Sequence, residues 1–204
     1  MTSATGVPTA GKPIGLRERK KAKTRAAIRE HALRLFRERG YSATTIEQIA
    51  AAAEVSPATF FRYFPTKEDV VLQDDMDLVT LAAFEAQPAD LGPIAAMRSA
   101  TTALVAQMSP ADMARLGDTT ELTMSVPEIR ARAVDELTRT IEVIAAAVAK
   151  RAGRRPDDFA ARSVAGAIVG VIMAVTLGPP DDGPAEMFNR IDAALAHLEA
   201  GLPL

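Results

Sequence analysis

The chain has 204 residues, 48% of them hydrophobic and 25% charged, a globular composition with enough apolar mass for a core. It has no cysteine and only two histidines, His31 and His197, far apart; this excludes disulfides, thiolate nucleophiles and Cys-based zinc sites, and neither a metal nor a cofactor is expected. The net charge of −2 is unevenly spread: residues 1–70 carry 13 Lys/Arg against 7 Asp/Glu, a net +6, and residues 71–204 carry 11 against 19, a net −8. Only the first third is suited to a polyanion.

Residues 1–15 read as a polar, flexible tail rather than a signal peptide. The longest apolar stretch, Val164 to Leu177, is too short to span a bilayer comfortably, so a cytoplasmic protein with no membrane partner is expected. Val, Ile and Thr nowhere alternate at period two over a useful length, and Ala, Leu, Arg and Glu dominate, so the fold class is all-α. The first helix should run from about Leu16 to Arg39 and stop at Gly40, with Ile28, Ala32, Leu35 and Phe36 on its apolar side. Its early turns, RERKKAKTR, are strongly basic, and a run of this kind either helps hold phosphates or is simply solvated. Thr44 is placed to cap a second helix, about Thr45 to Ala53, with Glu47 bonding back as in a capping box. Glu54 and Val55 make a short turn, and Ser56 caps a third helix from Pro57 to about Phe64. Pro65 ends it, and Thr66 caps a fourth starting at Lys67-Glu68-Asp69. Five more are expected at about 92–107, 110–124, 127–152, 157–177 and 185–200, punctuated by Pro88, Pro110, Pro127, Gly153, Pro156 and the GPPDDGP stretch at 178–184. That makes nine in all.

Two short helices joined by a tight turn and backed by a longer one match a helix-turn-helix at residues 44–64. A reading helix must expose its N-terminal side chains to a major groove about 12 Å wide, while its other side is held by an apolar contact. Ile46, Ile49, Val55, Phe60 and Phe64 can supply that contact. Pro57, Ala58, Thr59, Phe61, Arg62 and Tyr63 are then left to face outward, although Phe61 and Tyr63 could also pack.

The stretch GYSATTIEQIAAAAEVSPATFFRYFPTKEDVV resembles the DNA-binding region of the TetR family of transcriptional regulators. The resemblance rests on Gly40-Tyr41, Thr44-Thr45, Ile49-Ala50, Val55-Ser56, Thr59, the aromatic run to Phe64, and Pro65-Thr66-Lys67-Glu68. It implies a tail at 1–15, a helix-turn-helix domain at 16–66 and a helical effector-binding and dimerisation domain at 67–204. It further implies that Thr45, Ser56, Tyr63 and Lys67 meet the phosphate backbone of double-stranded DNA. Pro57, Ala58, Thr59, Phe61 and Arg62 would face bases, Arg62 being suited to bond guanine O6 and N7 together. Family members often carry tyrosine where this chain has Phe61 and histidine where it has Arg62. FFRYFPTKEDV, with VPEIRARAVDEL and RPDD further on, also resembles a subgroup proposed to sense acyl-CoA-like molecules.

A dimer reading two half-sites of a palindromic operator needs a dimer face. The candidates are Gly166 and Gly170 on the apolar helix FAARSVAGAIVGVIMAVTL, and the stripe Met187, Ile191, Leu195 and Leu198 on the last one; the alternative is that both helices are internal core. Five of the eight methionines (Met76, Met97, Met108, Met113, Met124) cluster between 76 and 124. With Phe84, Leu104 and Leu122 among them, Phe84, Met97, Leu104, Met108 and Leu122 are the candidate lining for a small apolar or amphipathic effector, against the plainer reading of a core. The expected function is a ligand-responsive homodimeric repressor. A constitutive regulator without an effector stays open. An enzyme is not expected, since Asp74, Asp75 and Asp77 form the only dense acidic group and spread around a helix.

Overall fold

The computed structural model describes residues 15–73, 76–177 and 183–204. Residues 1–14 of the expected tail, residues 178–182, Asp74, Asp75 and the side chain of Asp77 lie outside the described residues. The fold is all-α, 76% helix, with ten helices and no strand among the described residues. The chain divides into two compact units, Met1–Pro65 and Thr66–Leu204.

The first unit holds α1 (Leu16–Arg39), α2 (Ile46–Ala52) and α3 (Pro57–Tyr63). The four apolar positions read from the sequence, Ile28, Ala32, Leu35 and Phe36, are all at most 4% exposed and form the inner stripe of α1. Gly40 ends α1 at φ +82, ψ 155, a conformation open to glycine, and its N–H donates to the Phe36 carbonyl at 2.9 Å. Tyr41 then folds back onto Phe36, with ring centroids 5.1 Å apart.

The cap of α2 differs from the expectation. Thr44 does not cap it; its buried hydroxyl donates to the Gly40 carbonyl at 2.8 Å, with the Leu35 carbonyl at 3.3 Å. The cap is Thr45, whose Oγ1 accepts from the Gln48 N–H, while Gln48 Oε1 accepts from the Thr45 N–H at 3.0 Å. The expected capping box is thus present one residue further along.

The second unit holds α4 (Asp69–Leu72), α5 (Met76–Glu85), α6 (Pro93–Val105), α7 (Pro110–Ser125), α8 (Pro127–Arg151), α9 (Phe159–Thr176) and α10 (Pro184–Glu199). The single fourth helix expected from the sequence is two, because Gln73 leaves helical geometry at ψ 76. Proline occupies the first turn of α6, α7, α8 and α10, where its missing N–H costs nothing. Phe84, Met97, Ala100, Val148, Ile168 and Leu195 form the centre of the core. Arg98 of α6 ties this core to α10 through a two-pronged bond to Asp192 (3.0 and 3.1 Å) and a third to Glu199 (2.9 Å). Gly117 on α7 lets Pro184 approach, since a Cβ there would lie 3.2 Å from the proline ring.

Helix α9 packs between α8 and α10. Its 18 residues have a mean hydropathy of 1.8, long and apolar enough by composition to cross a membrane, so the shorter run expected from Val164 is corrected. Only 28% of that helix is buried, which leaves an apolar face uncovered.

Candidate nucleic-acid interface

The connection from α2 to α3 is a tight, fully bonded turn. Glu54 adopts the left-handed conformation at φ +54, its N–H donates to Ala51, and the Val55 N–H reaches back to Ala50 at 2.9 Å. Ser56 then caps α3, its Oγ accepting from the Thr59 N–H at 3.1 Å and donating to Thr59 Oγ1 at 3.0 Å. Two short helices with such a turn, backed by α1, form a helix-turn-helix.

Helix α3 has two distinct sides. Phe60 within it and Phe64 just after it are both 0% exposed, one turn apart, with ring centroids 5.9 Å apart. Of the contact residues expected, Ile49, Phe60 and Phe64 are buried, and Ile46 and Val55 lie at the edge. Pro57, Ala58, Phe61 and Arg62 are exposed, and Thr59 and Tyr63 are half-buried. The Phe61 ring, half exposed, stands edge-on to Phe60 at 5.6 Å, so its base is packed while its rim faces out. Among the described residues, Arg62 has no carboxylate partner and its guanidinium lies 5.3 Å from the Tyr63 ring. Its charge is therefore available to an outside acceptor. Thr45 and Ser56 sit at the helix starts as expected, but their hydroxyls are engaged in the caps. The Thr45 hydroxyl also reaches Glu47; that residue's own N–H, and then this hydroxyl, hold the carboxylate below its usual range. Lys67 lies beyond Pro65, on the turn before α4 in the second unit.

Sequence reasoning treated Arg25 as one of a basic run and missed its structural role. Arg25 donates from Nη1 to the Tyr63 carbonyl at 3.3 Å and lies over the Phe64 ring at 4.6 Å. It thus satisfies a carbonyl at the C-terminus of α3 and fixes that helix against α1. Its place at the end of the basic run, one turn before the apolar stripe of α1, was the available signal. The preceding Arg17, Arg19, Lys20, Lys21 and Lys23 are exposed, with no ion-pair partner among the described residues. Their positive field is not cancelled locally.

In the second unit, the residues expected to line an effector site are not gathered around a cavity. Phe84 and Met97 are core, at 1% and 3% exposure, and Leu104, Met108 and Leu122 are half-buried elsewhere. A cavity of about 240 Å³ lies instead among α4, α7, α8 and α9, and none of those five residues lines it. Of the methionine cluster, Met97 packs in the core and Met124 lines this cavity, uses that the adaptable thioether suits. The expected stripe on α10 is likewise inward: Met187, Ile191 and Leu195 are 9%, 5% and 0% exposed and pack in the core, with Leu198 against it. This corrects their placement on a dimer face. Gly166 is half-buried and Gly170 exposed, and a Cβ on either would meet nothing within 4 Å. Among the described residues no group of three or more His, Asp or Glu could hold a metal ion.

A helix-turn-helix with an outward arginine and an uncancelled basic helix behind it defines a DNA-binding protein. Comparison with known proteins identifies its family. Residues 28–73 match the family model for bacterial regulatory proteins of the tetR family, and residues 91–203 match the MftR C-terminal domain. The chain is 44% identical over 101 residues to the HTH-type transcriptional regulator TcmR of Streptomyces glaucescens, spanning 48% of this chain and 45% of that protein's length. It is 25% identical over 187 residues to MftR of Mycobacterium tuberculosis, named for regulation of mycofactocin biosynthesis, covering 90% and 93% of the two chains. Among solved structures, the repressor FadR of Thermus thermophilus, in complex with lauroyl-CoA, is 26% identical with a TM-score of 0.54, covering 88% and 95%. The chain belongs to the TetR family of transcriptional regulators.

Proposed function

We propose that this chain is a cytoplasmic homodimeric repressor that holds a palindromic operator through α3 and releases it when a small apolar or amphipathic effector binds the second unit. The observation that carries the DNA half is the two-sided α3, with Phe60 buried and an unpaired Arg62 outside. On this reading Pro57, Ala58, Thr59, Phe61 and Arg62 face bases, while Thr45, Ser56, Tyr63 and Lys67 meet phosphates. Arg62 is the principal reader, because a guanidinium bonds guanine at two points. Thr45 and Ser56 contribute through their positions at helix starts more than through their hydroxyls, which the caps use.

The uncovered apolar face of α9 supports dimerisation. Gly170, Ala174 and Leu177 are exposed along it, and Gly166 is half-buried one turn before them. A second copy laid on this face would bury it, and a dimer carries the two α3 helices that a pair of half-sites about 34–36 Å apart requires. Effector release is supported by the cavity in the second unit and by a relative, FadR, solved with lauroyl-CoA. For such a ligand to act, it must bind the DNA-competent and the released states unequally; equal affinity shifts nothing.

Selection of bound fragments from a random DNA pool tests the reading. A palindromic site is expected, with affinity falling steeply as salt rises. Arg62→Ala should relax preference at one base position per half-site by about 1–3 kcal/mol. A pool that shows no enrichment, or binding indifferent to salt, would overturn the proposal.

A further inference from the structure

The cavity of the second unit has a chemistry more specific than apolar. Its wall is largely aliphatic: Val71 and Leu72 come from α4, Met124 from α7, Val134 and Leu137 from α8, and Met173 from α9. One charged side chain joins them, Arg130, in the first turn of α8 and on the same face as Ala133, Val134 and Leu137 by helical spacing. No Asp or Glu lines the cavity among the described residues.

Arg130 differs from the arginines around it. Arg132 is held by Asp69 at 3.2 Å and Glu136 at 2.8 Å, Arg139 reaches Glu136 at 4.0 Å, and Arg115 reaches Asp112 at 3.5 Å. The Arg130 side chain, which is exposed, has no ion-pair or hydrogen-bond partner among the described residues. The threonines of the wall divide in the same way. The Thr119 hydroxyl donates to the Leu116 carbonyl at 2.9 Å and that of Thr123 to the Thr119 carbonyl at 2.8 Å, so both protons are spent on the helix. The half-buried Thr120 hydroxyl has no such partner and is free to donate into the cavity.

Resting on the effector-responsive reading above, we propose that this cavity takes a short amphipath with an anionic head, a medium-chain carboxylate, with Arg130 as its counter-charge and Thr120 as a second donor. The exposed Arg130 guanidinium stands at the edge of this aliphatic wall, where it attracts an anionic head and repels a cationic head of the same shape. The cavity, about 240 Å³ and open to solvent on one side, has room for a medium-length acyl chain with its head group at the mouth.

Calorimetric titration of the full chain with octanoate, octanol and octyltrimethylammonium, at one salt concentration, tests the proposal. Octanoate is expected to bind at least tenfold more tightly than either of the others. Arg130→Gln should bring octanoate to within threefold of octanol while leaving octanol affinity and the thermal unfolding midpoint unchanged. Ala133→Phe, which fills the cavity, should abolish binding of octanoate. Equal affinity for octanoate and octanol, an Arg130→Gln variant that keeps the preference, or no octanoate binding overturns the site. Affinity for DNA recovered from the random pool is measured separately, by fluorescence anisotropy. Arg130-dependent octanoate binding that leaves this affinity constant supports the site and overturns the effector-responsive reading. Loss of the site with DNA binding intact leaves the DNA-binding half of that reading standing.

Discussion

Asp69 is fully buried, and Arg132 is the cation that faces it, at 3.2 Å from Oδ1. The approach lacks the alignment of a hydrogen bond, since Oδ1 has no hydrogen-bond partner, so the attraction is Coulombic. The other oxygen, Oδ2, accepts from the Thr66 N–H at 3.1 Å, and Thr66 Oγ1 accepts from the Asp69 N–H in return. Arg132→Ala strands a buried negative charge, a change that typically costs about 3–5 kcal/mol; because Oδ2 keeps its donor, the lower end, about 3 kcal/mol, is expected. Asp69→Asn is the milder change. It keeps the volume and an acceptor for Thr66, and leaves Arg132, which is 32% exposed, to Glu136 at 2.8 Å and to water; about 1 kcal/mol is expected. The double variant then costs less than Arg132→Ala alone, since no charge remains to be stranded, which gives a coupling of about 2 kcal/mol. Urea unfolding followed by circular dichroism at 222 nm measures all four proteins by linear extrapolation. A loss below about 1 kcal/mol in Arg132→Ala, or strict additivity in the double variant, would refute a buried pair of this kind.

Other variants test separate links. Gly40→Ala should destabilise the first unit by about 1–3 kcal/mol through backbone strain alone, because φ is +82 and no atom lies within 4 Å of the new Cβ; chemical denaturation reads it. Gly170→Glu leaves the fold of one chain untouched for the same lack of neighbours, and should convert the proposed dimer to monomer in sedimentation velocity, whereas a variant that stays dimeric would remove α9 from the proposed interface. The Ser109 hydroxyl and then its N–H hold Asp112, at the start of α7, below its usual value of 3.8. A depressed folded value means the cap contributes fully above the unfolded value and is lost as pH falls through the folded one. Asp112→Asn should therefore flatten the acid side of the melting-temperature profile, below about pH 4.

Local signals made most of the helices readable. Gly40, Ser56-Pro57, Pro110 and Pro127 act within four residues, and the structure places each at a helix end. Thr44 and Thr45 show where local reading is ambiguous: Thr44 with Glu47 and Thr45 with Gln48 fit the same pattern. The choice falls on Thr45 because the Thr44 hydroxyl is drawn to the carbonyls of Leu35 and Gly40, a tertiary contact invisible to spacing. The misplacement of Met187, Ile191 and Leu195 has a related cause. An apolar stripe states that something covers it, and the same stripe serves a neighbouring helix of the chain or a second copy. The cavity was missed because its lining comes from four helices, with no periodicity joining Leu72, Thr120, Arg130 and Met173.

The two sides of α3 separate inheritance of fold from inheritance of specificity. Phe60 and Phe64 are sealed, and Arg25 secures the end of the helix, so none of them can vary cheaply. Pro57, Ala58, Phe61 and Arg62 face out, where substitutions usually shift stability by no more than about 0.5 kcal/mol. Over evolutionary time such a helix can exchange its reading surface almost without penalty, and descendants of one scaffold can diverge in target while their interiors stay the same.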